Sequence, residues 1–257
     1  MYRRTIGLLV AVAIAAPLTA CVGKKAVFNP TLSGEFFPLE VDTVWTYRVK
    51  SKSQRATYVV TDKVIGQKYV PSLNVTGEVV EEYYNMDRGG MRPIVYVTKD
   101  GYLNRLSGLD YAKQDIEAPA WGRSEEGAFM PARLAPDLSW SSKIFPFGHM
   151  SGAFDISQSH RSYFDGEDVI VPGGRFSECI RIETDAVYEG GNYANIGKGL
   201  RLTYEDWYAP KVGLVKTVAF EGSSKGSEME RVELLKFISP SIRSMPSRGS
   251  TNPTSSQ

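Results

Sequence analysis

The sequence predicts a mainly β protein built on a single antiparallel, strongly curved sheet: a half-barrel, or an open barrel or sandwich, with one long irregular loop region. Three observations predict it. Short runs of aromatic and β-branched residues recur from about residue 35 to residue 238, with turn residues between them. Asp-Gly and Pro-Gly pairs sit between such runs, where tight turns need them. Past the first twenty residues, no stretch carries the period of a long amphipathic helix.

The amino-terminal segment is an address. Arg3 and Arg4 form a basic head, residues 6–16 are apolar, and Leu18-Thr19-Ala20 place small residues directly before Cys21. The apolar stretch is shorter than the roughly 20 residues that span a bilayer. Leu18–Cys21 fits the lipobox of bacterial lipoproteins. That resemblance implies cleavage after Ala20, thioether-linked diacylglycerol on Cys21 and an N-acyl chain on the new terminus. Two or more chains hold a protein stably, at about 0.8 kcal/mol per buried methylene. The chain then divides into a signal peptide at 1–20, a lipid anchor and tether at 21–34, a β domain at 35–238 and a Ser/Pro/Thr-rich disordered tail at 239–257. Val22 follows the anchor, which points to the outer membrane, facing the periplasm.

Within the domain, residues 94–98 and 102–103 flank Asp100-Gly101 and read as a hairpin. A second hairpin is expected through Asp165-Gly166, joining a strand at 154–163 to one at 169–171. Pro172-Gly173-Gly174 then turns the chain into a strand from 176 to about 188. Leu200, Leu202, Tyr204, Asp206 and Tyr208 share one parity, against Arg201, Thr203, Glu205 and Trp207 on the other, so one face is buried. Turns at 209–213 and 222–226 separate the last strands. Residues 118–150 break the rhythm with four prolines and five Trp or Phe residues. They are expected to be a structural loop, a lid or a docking surface, and Trp121, Phe129, Trp140, Phe145 and Phe147 are the candidate ligand- or partner-binding residues.

The chemistry is sparse. With 30 basic and 29 acidic residues the chain is near neutral, which argues against a nucleic-acid surface. His149 and His160 are the two histidines, and neither has partners at metal-ligand spacing, so no metal and no cofactor beyond the acyl chains is expected. No catalytic residues are assigned. Glu205 and Asp206 point to opposite faces of a strand and cannot act as a pair. Asp165, Glu167 and Asp168 lack the alternation of a calcium loop and read as a solvated turn. Cys179, with Cys21 lipidated, has no disulfide partner and is expected to be sequestered and inert. The 14 Tyr, 11 Phe and 4 Trp suit a β core or the lining of an apolar cavity.

Three segments carry a further resemblance. Residues 35–47 (EFFPLEVDTVWTY), 171–180 (VPGGRFSECI) and 204–216 (YEDWYAPKVGLVK) resemble, in order and spacing, a set of uncharacterised bacterial lipoproteins with an FPLxxGxxWxY opening and a YWYAPGVGLVK-like hairpin. Asp42 and Lys211 stand where that pattern has glycine. The resemblance implies an antiparallel β domain on a lipid anchor and brings no catalytic residue. More distantly, the plan is similar to half-barrel lipoprotein carriers. The expectation is a non-enzymatic, lipid-anchored envelope lipoprotein that binds a protein partner or supports an envelope assembly. The alternative is a carrier for a lipid or other apolar ligand inside the curved sheet.

Overall fold

A computed structural model describes residues 31–52, 54–85, 90–107, 128–144, 155–189, 200–224 and 226–243. In chain order the elements are β1 (Thr31–Leu32), α1 (Ser33–Phe36), β2 (Val44–Ser51), β3 (Ala56–Val70), a 3₁₀ turn (Pro71–Leu73), β4 (Val75–Asn85), β5 (Met91–Lys99), β6 (Tyr102–Ser107), β7 (Ala128–Pro131), β8 (Arg133–Leu134) and β9 (Ser139–Ile144). The chain continues through β10 (Asp155–Tyr163), β11 (Val169–Val171), β12 (Gly174–Phe176), β13 (Ile180–Glu189), β14 (Arg201–Ala209), β15 (Gly213–Glu221), β16 (Glu228–Ile238) and α2 (Pro240–Arg243).

Twelve strands form one antiparallel sheet in the order β7-β6-β5-β4-β3-β2-β16-β15-β14-β13-β10-β9. One meander runs outward from β2 and another outward from β16, and these two strands join them. Bulges at Val64/Gly66, Trp207/Tyr208, Ala219/Phe220 and Leu234/Lys236 add the curvature. The edge strands β7 and β9 come within 8 Å of each other, Cα to Cα, so the sheet is nearly closed into a barrel. The expected fold class is therefore what forms.

Alternation along each strand separates two faces. Trp45, Tyr47, Val49 and Ser51 of β2 are buried inward. Outward positions carry ion pairs: Arg48 with Glu233 at 2.7 Å, Arg201 with Asp185 at 2.7 Å, and Arg181 with Glu205 at 3.5 Å. A lipid-facing barrel wall is apolar, whereas these outward positions are charged. A smaller core of Val70, Val79, Val95, Val97 and Leu106 lies on the outer face of β3–β6, where Ile65, Leu73 and Val75 pack against it.

At the amino-terminal side Thr31 and Leu32 pair with β8, and Ser33 donates its backbone N–H to Ala132. After β16, Ser239 is buried and Ser241 is bonded to Glu40. Two expectations change within the sheet. The described residues of the irregular region at 118–150 form β7, β8 and β9; Pro131 ends β7, and Met130 and Leu134 are fully buried. The Asp165-Gly166 turn makes no hairpin between β10 and β11. Both edges of β10 are already paired, with β9 and β13, so β11 folds back onto β12 instead.

Candidate functional site

The lower end of the barrel is where residues 33–43 enter and where the β5–β6 and β14–β15 turns lie. It is filled from two directions. Phe37, just after α1, packs with Tyr96 at 5.0 Å, Phe129 at 5.2 Å, Trp45 at 6.0 Å and Tyr208 at 6.5 Å between ring centroids. The opening motif and the β14–β15 turn hold each other: Lys211 N–H donates to Glu35 O at 2.5 Å, and Trp45 Nε1–H donates to Val212 O at 2.5 Å. Gly213, at φ 98°, lies against that indole, and a Cβ there would sit 3.1 Å from Trp45 Nε1. From the other side the β11–β12 hairpin adds Val169 and Val171 to the core, with Gly173 N–H bonded to Leu234 O at 2.8 Å. All three sequence motifs thus converge on sealing this end.

Next to this floor the inward positions become polar. Asp62 faces Glu82 across β3–β4, Arg105 faces Tyr96 across β5–β6, and Asp206 faces Thr217 across β14–β15. Asp62, Glu82, Arg105 and Asp206 are half-buried. Burial works against the Arg105 guanidinium, but the fields of Tyr96, Glu82 and Asp62 more than offset it and hold it charged. Asp206 accepts from Thr217 Oγ1 at 2.6 Å, its one hydrogen bond among the described residues, and burial pushes its carboxyl up to about 6. Burial also raises the Tyr47 and Tyr208 hydroxyls well above the ordinary range, helped by Asp62 for Tyr47 and Asp206 for Tyr208.

On the wall formed by β9, β10 and β13, beyond the apolar Ile180 and Ile182, lies a row of polar, uncharged side chains. His160 is buried, stacked on Trp140 with centroids 4.9 Å apart and rings 16° from parallel. Its Nδ1 lies 2.8 Å from Thr184 Oγ1 and its Nε2 2.9 Å from Ser142 Oγ, which donates to Gln158 Oε1 at 3.1 Å. With Ser142 donating onward, Nε2–H donates to Ser142 and Nδ1 accepts from Thr184. A hydroxyl bonded to an imidazole is also the first half of a nucleophilic triad. Here a threonine stands where a triad has its carboxylate, and burial pushes His160 down to about 4, which makes it a weak base. The row is suited to hydrogen bonding rather than proton transfer.

Of the residues singled out in the sequence, Phe129 sits on the floor and Trp140 on the uncharged wall, where its Nε1–H is buried without a hydrogen-bond partner. Cys21, Trp121, Phe145 and Phe147 lie outside the described residues. Sequence reasoning missed Arg105, Asp62, Glu82 and the His160 row. Asp206 alone had a signal, its parity with Tyr204 and Tyr208. Cys179 is buried and its thiol is pushed up to about 12, first by burial and then by Asp168, so it is inert as expected. Asp165 and Asp168 are engaged by Arg181 at 2.8 Å and Arg175 at 3.1 Å.

No protein-family model and no curated protein matches the chain. Two solved structures are similar to it. One is a candidate exported protein with a YmcC-like fold from Bacteroides fragilis, at 13% identity and a TM-score of 0.46, over 78% of this chain and 97% of that one. The other is a candidate lipoprotein from Parabacteroides distasonis, at 16% identity and a TM-score of 0.48, over 82% of this chain and 100% of that one.

Proposed function

We propose that the chain is a non-enzymatic binding protein of the bacterial cell envelope, anchored through acyl chains on Cys21 in the outer membrane and facing the periplasm. One observation carries the reading: the barrel is sealed at the end where the tether enters, and its interior beyond that seal is lined by polar and charged side chains. A barrel of about eight strands is just filled by its own side chains; twelve strands enclose more than that. The lower surplus is taken up by residues 33–39 and the β11–β12 hairpin, and we assign the polar part to a ligand or a partner's inserted group.

The anchor is tested by the mass of the Cys21 peptide and by fractionation of cells making the full chain. Wild type is expected acylated in the outer membrane, and Cys21→Ala soluble in the periplasm. Unmodified Cys21, with the variant still in the membrane fraction, would end the anchor reading. Turnover of a lipid, peptide or glycan substrate that a point variant abolishes would end the non-enzymatic one. The second reading, an apolar-ligand carrier, has Phe37 and Phe129 in its favour, two rings on the floor that keep partial exposure. It requires a lipid mass to accompany the protein in native mass spectrometry.

A further inference from the structure

We propose that the tip of the β3–β4 hairpin is a membrane foot, seated on the phospholipid headgroups of the bilayer that holds Cys21. The proposal deepens the lipid-anchored reading and rests on it. β3 pairs with β2 as far as Lys63, and Asp42 N–H and Thr43 O bond to Val64 just beyond. The hairpin then runs on alone with β4. Gln67 stands level with the floor residue Tyr96, through Glu78 between them, so Tyr69 and the turn at Pro71–Leu73 lie beyond the sealed end. The extension is braced. Val70 and Val79 are buried on its outer face with Val95 and Val97, and a Cβ added at Gly77 would sit 2.5 Å from Val97 Cγ1.

The tip has the chemistry of an interfacial element. Residues 65–77 hold no aspartate or glutamate and a single charge, Lys68, in a chain with 29 acidic residues. Tyr69 is 53% exposed, its hydroxyl donating to Asn74 Oδ1 at 2.7 Å, and Pro71 is exposed beside it. A ring with an apolar body and a wet hydroxyl suits the headgroup layer, where tyrosines collect. The other turns at this end carry acidic or basic tips, among them Asp100, Asp165 and Lys211. The tether enters on the same side. Ser33 bonds to Ala132 and Ala132 to Gly101 in the β5–β6 turn, three strand spacings from β3, or about 15 Å. Nine residues, 22–30, separate Cys21 from Thr31, so a fully extended tether reaches about 35 Å at most. So short a link keeps the tip at an effective concentration on the order of millimolar. A patch too weak to retain the Cys21→Ala chain by itself then stays seated in the acylated one.

The test places one thiol-linked fluorophore on the full acylated chain, either at Thr76→Cys, the exposed cross-strand partner of Tyr69, or at Met91→Cys, exposed at the opposite end of the β4–β5 pair. Cys21 is blocked by its lipid and Cys179 is buried, so each variant takes a single label. The protein is reconstituted into phosphatidylcholine vesicles doped with a lipid that carries a nitroxide on its headgroup. The label at 76 is expected to be quenched at least about threefold more than the label at 91, since an interfacial element sits within about 10 Å of the headgroups. Tyr69→Asp in the Thr76→Cys background is expected to bring that quenching down to the level at 91. Thermal melts should be unchanged, because Tyr69 is exposed and its loss opens no cavity. Equal quenching at the two sites, or quenching at 76 that Tyr69→Asp leaves intact, overturns the foot and leaves the anchor standing. An acylated chain that fails to float with the vesicles would sink the Cys21 anchor, and the foot with it.

Discussion

Lys211 and Asp42 hold left-handed backbone, at φ 62° and 68°, at the two positions where the resembling lipoprotein pattern has glycine. A side chain in that region costs about 1–2 kcal/mol, less for aspartate, which bonds locally. Glycine gives back part of that gain through the entropy of the unfolded chain. Lys211→Gly is therefore expected to stabilise by roughly 0.5–1 kcal/mol, with the Lys211 N–H bond to Glu35 kept. Asp42→Gly also loses the exposed Lys63 pair at 3.0 Å and is expected to stay within about 0.5 kcal/mol of wild type. Urea melts of both variants check this, and a destabilised Lys211→Gly would contradict it. At this scale much was legible in the sequence: which residues of β14 point inward, the inert Cys179, the left-handed Asp100-Gly101 pair. Parity and turn chemistry are local and survive translation into structure. That Arg105 would answer Asp62 and Glu82 was not legible, because it depends on strand register accumulated across the sheet.

The β11–β12 hairpin shows the same limit one level up. Its turn, Pro172-Gly173, is plain in the sequence, but nothing local says that it docks on β16 rather than extending β10. Gly173 is what permits the docking: a Cβ there would lie 2.8 Å from Leu234 O and 3.2 Å from Leu234 C, both backbone atoms. Gly173→Ala must push the hairpin away and weaken the bond to Leu234, at a cost of roughly 2 kcal/mol. Gly34→Ala is the matched control, since nothing lies within 4 Å of its added Cβ, and it is expected to change stability by less than about 0.5 kcal/mol. Equal denaturation midpoints for the two variants would mean the hairpin does not hold the sealed end. The same element explains why the motif around residues 171–180 belongs with the other two: Val169, Val171 and Ile180 join the core that Phe37, Trp45 and Tyr208 build from the opposite side.

The two meanders of the molecule are joined by β2 and β16, strands from the two ends of the domain, so its sealed floor and polar interior exist only once this longest-range pairing is made. Inside it two buried groups act on stability in opposite directions over one pH range. His160 falls from 6.5 to about 4, so the unfolded chain takes up a proton that the folded one refuses, and stability is lost as pH drops through that window. Asp206 rises from 3.8 to about 6, so the folded chain takes up a proton first, and stability is gained as pH drops from about 6 to 3.8. Each effect is on the order of 2 kcal/mol once water reaching the interior is allowed for, and in wild type they largely cancel. Glu230, also raised by burial, adds to the Asp206 side. Removing one member exposes the other. Asp206→Asn is expected to gain stability at pH 7 and lose it steeply toward pH 4, as His160 is left unopposed. His160→Gln, which keeps hydrogen-bonding groups against Ser142 and Thr184, is expected to grow more stable relative to wild type over the same descent. Denaturant melts at pH 7, 5.5 and 4 read both slopes. If either variant's profile ran parallel to that of wild type, the substituted side chain would not be titrating inside the barrel. A net-neutral pair of opposing groups lets the protein keep a neutral histidine in its interior without becoming labile in mild acid.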